Sequence, residues 1–101
     1  MKQYQVKISI AARRMITDHV YFLAGINPDA AETLRENIMG KIFSLRTMPE
    51  RFPFLDMEDG ESGYRKMLVS RWYLVLYKVE DDTVYVDYVL DGRSDYRILL
   101  D

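Results

Sequence analysis

Between Gly63 and Val79 every charged residue is positive: Arg65, Lys66, Arg71 and Lys78. Acids gather on either side, from Asp56 to Glu61 and from Glu80 to Asp91. A run of cations inside a chain whose formal net charge is −2 points to contact with an anionic group or an acidic partner. Trp72, Tyr73, Tyr77, Tyr85 and Tyr88 interleave with these cations. Such aromatics can stack bases at about 1–3 kcal/mol each. Strand propensity accounts for them equally well, and packing within or across strands is the expectation. Arg93, Tyr96 and Arg97 form a second basic and phenolic group further along. The other chemistries are poorly served. There is no cysteine, and the one histidine, His19, has no second histidine or cysteine at ligand spacing, so no metal site is expected. No phosphate-binding glycine loop and no serine or cysteine triad can be assembled, and no cofactor is expected.

The elements that position these side chains are read from periodicity. Tyr4, Val6 and Ile8 alternate with polar residues over Gln3 to Ser9, a strand with one buried face. Ser9 can cap a helix whose apolar positions Ala12, Met15, Ile16, Val20 and Leu23 recur every three or four residues, ending at Gly25. Asn27-Pro28 is a cap followed by the first helical residue, and Asp29 and Glu32 suit the positive end of the helix dipole. The second stripe is Ala31, Leu34, Ile38, Ile42 and Leu45, and the helix should stop near Met48, because Pro49 disfavours helical geometry before it. Pro49 to Ser62 reads as a loop pinned by Phe52, Phe54 and Leu55. Three strands follow, Tyr64 to Val69, Trp72 to Val79 and Thr83 to Leu90, in an antiparallel meander set by tight connections. The tail from Gly92 to Asp101 reads equally as a helical turn or a last strand.

The 101 residues suit one domain over positions 1–101. The expected fold is α+β, in the order β-α-α-β-β-β, with a helical hairpin on one face of an antiparallel sheet. With 49% hydrophobic and 30% charged residues the chain can bury a core and stay soluble. No apolar run approaches the roughly 20 residues that span a bilayer, and the start is not a signal-peptide block, so a cytoplasmic location without membrane partners is expected.

The ordered set Tyr-x-Val-x-Ile-Ser at 4–9, Leu45 to Pro49, Gly63-Tyr64-Arg65-Lys66, Tyr73 to Tyr77 and Val89 to Tyr96 resembles the RelE/ParE toxin family over nearly the whole chain. The resemblance implies a bacterial growth-inhibiting toxin of a type II toxin–antitoxin system, of the plasmid-stabilising kind, neutralised by a cognate antitoxin. It leaves a homodimer open when the antitoxin is absent. It implies one of two targets, the ribosome and its messenger RNA, cut by a metal-independent endoribonuclease (the RelE branch), or DNA gyrase (the ParE branch). A third outcome is the same fold retained as a non-toxic binding module.

RelE-type cleavage needs cations against the developing phosphate charge and a proton carrier for the leaving oxygen. By resemblance Arg65, Arg93 and Tyr96 would supply them. Two positions depart from that pattern: Met67 stands where a second basic residue is expected, and Leu74 follows Tyr73 where an arginine is expected. The loss of a transition-state cation costs of the order of a hundredfold in rate, so the ParE branch is favoured. On that reading Arg65, Lys66, Arg71, Arg93 and Arg97 are partner contacts. The antitoxin should lay an amphipathic helix or strand over the basic stretch. For Arg65, function and an ordinary strand charge weigh equally. For Arg93 the plain alternative is a surface salt bridge to Asp91 or Asp95.

Overall fold

A computed structural model describes residues 2–57 and 60–93 of the chain. The tail readings at Tyr96 and Arg97, and the choice between helix and strand there, lie outside the described residues. Strand β1 (Gln5–Ile8) leads into helix α1 (Ile10–Ala24), and helix α2 (Pro28–Phe43) returns antiparallel to it. Two 3-10 turns, Ser44–Arg46 and Pro49–Arg51, carry the chain to strands β2 (Phe54–Met57), β3 (Gly60–Val69), β4 (Tyr73–Glu80) and β5 (Thr83–Asp91). Both helix starts are capped as their sequences dictate. Ser9 Oγ accepts from the Ala12 amide and Asn27 Oδ1 from the Ala30 amide, satisfying donors that have no partner inside the helix.

The fold class is the expected one, a helical hairpin on one face of a sheet. The sheet differs in two respects. It has five strands in the order β1-β5-β4-β3-β2, and it is mixed, since β1 runs parallel to β5 with Gln5 opposite Thr83 and Ile8 opposite Val86. Tight turns fix the direction only of strands that adjoin in sequence. β1 is joined to the rest through two helices, so no turn sets its orientation. The additional strand is β2, inside the segment expected to be a loop. Prolines and acids disguise it, but Leu55 is buried and Phe54 pairs with Arg65. α2 also ends earlier than expected, at Phe43, and tightens into 3-10 geometry before Met48 adopts the left-handed conformation ahead of Pro49.

The main core lies between the hairpin and the sheet. Ala12 and Ile16 of α1 and Leu34, Ile38 and Ile42 of α2 meet Met67, Val69, Val75, Tyr77, Val84, Val86 and Val89. A β-bulge at Asp87 makes this possible: Leu76 pairs with Tyr88 but Tyr77 pairs with Val86, so Val86 and Val89 both face the helices although three residues apart. A smaller cluster of Leu55, Leu76 and Leu90, flanked by Tyr64, Leu74 and Tyr88, occupies the opposite face.

Arg51 holds the corner between α2 and the sheet. Its Nη1 donates to the carbonyls of Thr47 and Met48 at 2.7 and 3.1 Å, and its Nη2 donates to Ser44 Oγ at 2.9 Å. Arg51→Ala removes these bonds at a site that water can re-solvate, so urea unfolding should show a loss of about 1 kcal/mol. An unchanged midpoint would mean the clamp adds nothing.

Candidate functional site

Among the described residues, the basic side chains singled out in the sequence do not all gather at one place. Arg71 and Arg93 meet at one end of the sheet, whereas Arg65 sits at the other end of β3. At the first end, β3 and β4 are joined by Ser70, Arg71 and Trp72, with positive φ at Ser70 (49°) and Arg71 (69°). Trp72 therefore belongs to the turn and not to the strand in which its propensity placed it, and it is 45% exposed. The guanidinium of Arg93 lies 5.1 Å from the centre of the Trp72 ring and that of Arg71 lies 5.9 Å away, so an exposed indole is flanked by two cations.

Neighbouring elements fix this end. The Gly92 amide donates to the Trp72 carbonyl at 2.6 Å, and a Cβ on Gly92 would approach that oxygen to 3.0 Å, a tight contact that the backbone would have to shift to relieve. Arg93 Nε donates to Asp91 Oδ1 at 3.0 Å and its Nη2 to Oδ2 at 2.9 Å. The salt bridge weighed for Arg93 is thus formed with Asp91. The hydrogen bonds from Arg93 hold the Asp91 carboxyl below the usual carboxylate range and raise the guanidinium in turn. On the helix side, Asn37 Nδ2 donates to Ser70 Oγ at 3.1 Å. His19 Nε2 donates to the Val89 carbonyl at 2.7 Å, and its ring stands 5.0 Å from that of Tyr73. His19 is a structural clip, as its isolation in the sequence suggested. Between α2 and the turn runs an open groove of about 430 Å³ with Leu23, Leu34 and Tyr73 at its floor and Asn37, Trp72 and Arg93 along its rim.

At the far end Arg65 is engaged in structure. Its Nη1 donates to the Phe52 and Glu50 carbonyls at 2.7 and 3.1 Å, and its guanidinium covers the Phe54 ring at 4.1 Å. Lys66 points to the helix-free face beside Leu68 and Leu74. Lys78 lies over the Tyr64 ring at 4.4 Å, and the Tyr64 hydroxyl donates to Asp87 Oδ2 at 2.9 Å. Burial, with that bond to a carboxylate, pushes the Tyr64 phenol well above its ordinary range. The two departing positions are equally clear. Met67 is fully buried in the main core, and Leu74 is half-buried on the helix-free face. Among the described residues no group of three or more His, Cys, Asp or Glu side chains could hold a metal ion, and no helix is long and apolar enough to cross a membrane.

A helical hairpin on a five-stranded mixed sheet, with a cation-flanked tryptophan at one corner, defines a small α+β protein. The family model for the ParE toxin of the type II toxin–antitoxin system, parDE, matches residues 6–96, and the chain belongs to that family. The fold is similar to that of the chromosomal ParDE toxin–antitoxin system from P. aeruginosa, with a TM-score of 0.70 at 15% identity, covering 88% of this chain and 96% of that one. It is also similar to the toxin–antitoxin complex RelBE2 from Mycobacterium tuberculosis, with a TM-score of 0.59 at 23% identity and coverage of 90% and 93%. No curated protein matches the chain in sequence.

Proposed function

We propose that this chain is the toxin of a bacterial type II toxin–antitoxin pair, that it arrests growth in the cytoplasm by binding DNA gyrase, and that a cognate antitoxin neutralises it. The observation that carries the choice of target is the dispersal of the cations among the described residues. The side chain at position 67 lies in the core, Leu74 carries no charge, and Arg65 spends its guanidinium on two backbone carbonyls and a phenyl ring. A phosphodiester cleavage site needs charges gathered around one developing anion. A protein contact needs only an exposed anchor, and a tryptophan flanked by arginines has the composition of an interface hot spot. Arg71, Trp72 and Arg93 are the residues assigned to that contact, with Lys66 on the adjoining helix-free face.

A supercoiling assay with purified protein tests the target. Gyrase should lose activity on addition of the chain, and Trp72→Ala should weaken inhibition about tenfold or more, the usual cost of removing a central aromatic anchor. Unaffected gyrase would sink the proposal. The RelE-like reading keeps one observation in its favour: Trp72 between Arg71 and Arg93 offers both a stacking surface and phosphate-binding charge. Ribosome-dependent cleavage of messenger RNA that disappears in Arg93→Ala would establish that reading instead. Normal growth on induction would leave a non-toxic binding module.

A further inference from the structure

Two exposed apolar side chains of the helical hairpin stand at the same corner of the molecule as Trp72. Phe22 is 74% exposed and Ile26 70%. They follow His19 by three and seven residues, a spacing that puts all three on one side of α1. The Ile26 amide donates to the Leu23 carbonyl at 3.0 Å, so the helical turn carries through to Ile26. The His19 ring rests 5.0 Å from that of Tyr73, the residue after Trp72. Leu23 and Ala30, which precede and follow Ile26 in the chain, line the groove that Trp72 and Arg93 rim. The hairpin tip and the turn between β3 and β4 thus flank one groove. Phe22, Ile26 and Trp72 leave roughly 400 Å² of apolar surface in water, the scale of patch that marks an interaction site.

We infer that the hairpin tip and the turn form a single interface for an acidic, aliphatic segment of the target, with apolar side chains in the groove between Ile26 and Trp72 and a carboxylate on Arg71. That the target is gyrase rests on the function proposed above; the chemistry of the segment is read from the corner itself. Charge selects it. Arg93 already holds Asp91 through two hydrogen bonds, whereas Arg71 joins no salt bridge among the described residues and is the cation beside the indole left for a partner. A nucleic-acid strand brings a phosphate with every nucleotide and calls for a row of cations. A peptide segment calls for one or two, beside an apolar depression that buries its anchors. The groove supplies that depression in Leu23, Leu34 and Tyr73, and Thr33 and Asn37 line it with groups able to bond a peptide backbone.

Trp72 is the only tryptophan in the chain, so its emission reports on the groove. An acidic, leucine-rich peptide without tryptophan should shift that emission to the blue as it covers the indole, and a counterpart with lysine in place of the acids should not. Phe22→Glu and Ile26→Glu, both at exposed positions, should leave thermal unfolding unchanged and weaken both peptide binding and gyrase inhibition at least about tenfold. Tyr21→Glu, as exposed as Phe22 but about 100° round the helix from it, should change neither. Arg71→Glu should reverse the preference from the acidic peptide to the basic one. A parent chain that inhibits gyrase together with Phe22→Glu and Ile26→Glu forms that inhibit it as well overturns the inference and keeps gyrase as the target. Acidic-peptide binding with the stated dependences, where gyrase is unaffected, keeps the interface and removes gyrase. The inference fails if neither peptide moves the Trp72 emission, if both move it alike, or if a single-stranded oligonucleotide moves it instead. Variants that still inhibit gyrase but escape the antitoxin would overturn it by giving the surface to the antitoxin.

Discussion

Met67→Lys is expected to cost at least about 4 kcal/mol of folding stability, the scale of burying a cation without a partner. Lysine is the kind of residue the endoribonuclease pattern would place at position 67, so the substitution asks whether this site could ever have held a catalytic cation. Met67 is fully buried, pairs across the sheet with Val75, and belongs to the same core cluster as Val69 on its own strand and Ile38 and Ile42 of α2. No carboxylate belongs to that cluster, so an ammonium there would be unpaired or would have to lose its proton. Small domains are stable by about 5–15 kcal/mol, and a penalty of this size should appear as a large fall in the urea midpoint. Met67→Leu, which nearly conserves volume, should cost less than about 1.5 kcal/mol. Leu74→Arg is the contrasting case. Leu74 is half-buried on the helix-free face, where an arginine stem can cover Leu68 and Leu90 with its head in water, and the protein should fold with a loss near 1 kcal/mol. On the gyrase reading it should gain no RNA cleavage. A Met67→Lys protein as stable as the parent would show that position 67 opens to solvent, and the case against a cleavage site would lose its strongest residue.

The contrast between positions 67 and 74 marks how far the sequence could be read. Local signals were sufficient for the starts and inward faces of the helices: Asn27-Pro28 starts α2, and Ala31, Leu34, Ile38 and Ile42 are buried along it, with Leu45 buried in the 3-10 turn that follows. The period-two alternation of β1 likewise gave the face it presents to the core. Features that depend on distant partners were hidden. β2 becomes a strand only because β3 pairs with it, and β1 is parallel only because β5 lies beside it. The bulge at Asp87 shifts the phase of β5 within a run that reads as one uninterrupted strand. The same holds for the candidate site. Arg71 and Arg93 were both visible as cations, but their meeting at Trp72 depends on a turn that excludes Trp72 from β4 and on Gly92 crossing its carbonyl. The glycine beside Arg93 and the aromatic beside Arg71 were the available signals. What they lacked was the register linking residues 72 and 92.

Register also determines the role of Tyr77, at which substitution should give the other large loss of stability. Tyr77 is paired with Arg65 on one side and Val86 on the other, its ring is fully buried in the main core, and its hydroxyl donates to the carbonyl of Pro49. One side chain thus ties the centre of the sheet to the turn after α2. Tyr77→Ala should cost about 3–5 kcal/mol through the cavity it leaves. Tyr77→Phe keeps the ring and strands the Pro49 carbonyl, at about 1–3 kcal/mol. The phenol also sets an alkaline limit. Burial pushes it up from the ordinary value of 10.0 to about 12, against the opposing influence of the nearby Arg65 and Arg51. An acid whose folded pKa is raised contributes stability that is fully present below the unfolded value, because both states then hold the proton. Between pH 10 and about 12 the unfolded chain releases the proton while the folded chain keeps it, so stability falls by up to about 1.4 kcal/mol per pH unit from this group. The Tyr64 phenol, also raised, acts with the same sign in both proteins. Denaturation curves at increasing pH should therefore show the parent losing stability faster than Tyr77→Phe above pH 10, with the gap between them narrowing. Parallel losses would mean that the Tyr77 ring is reached by water in the folded state and that its bond to Pro49 does not hold the turn to the sheet.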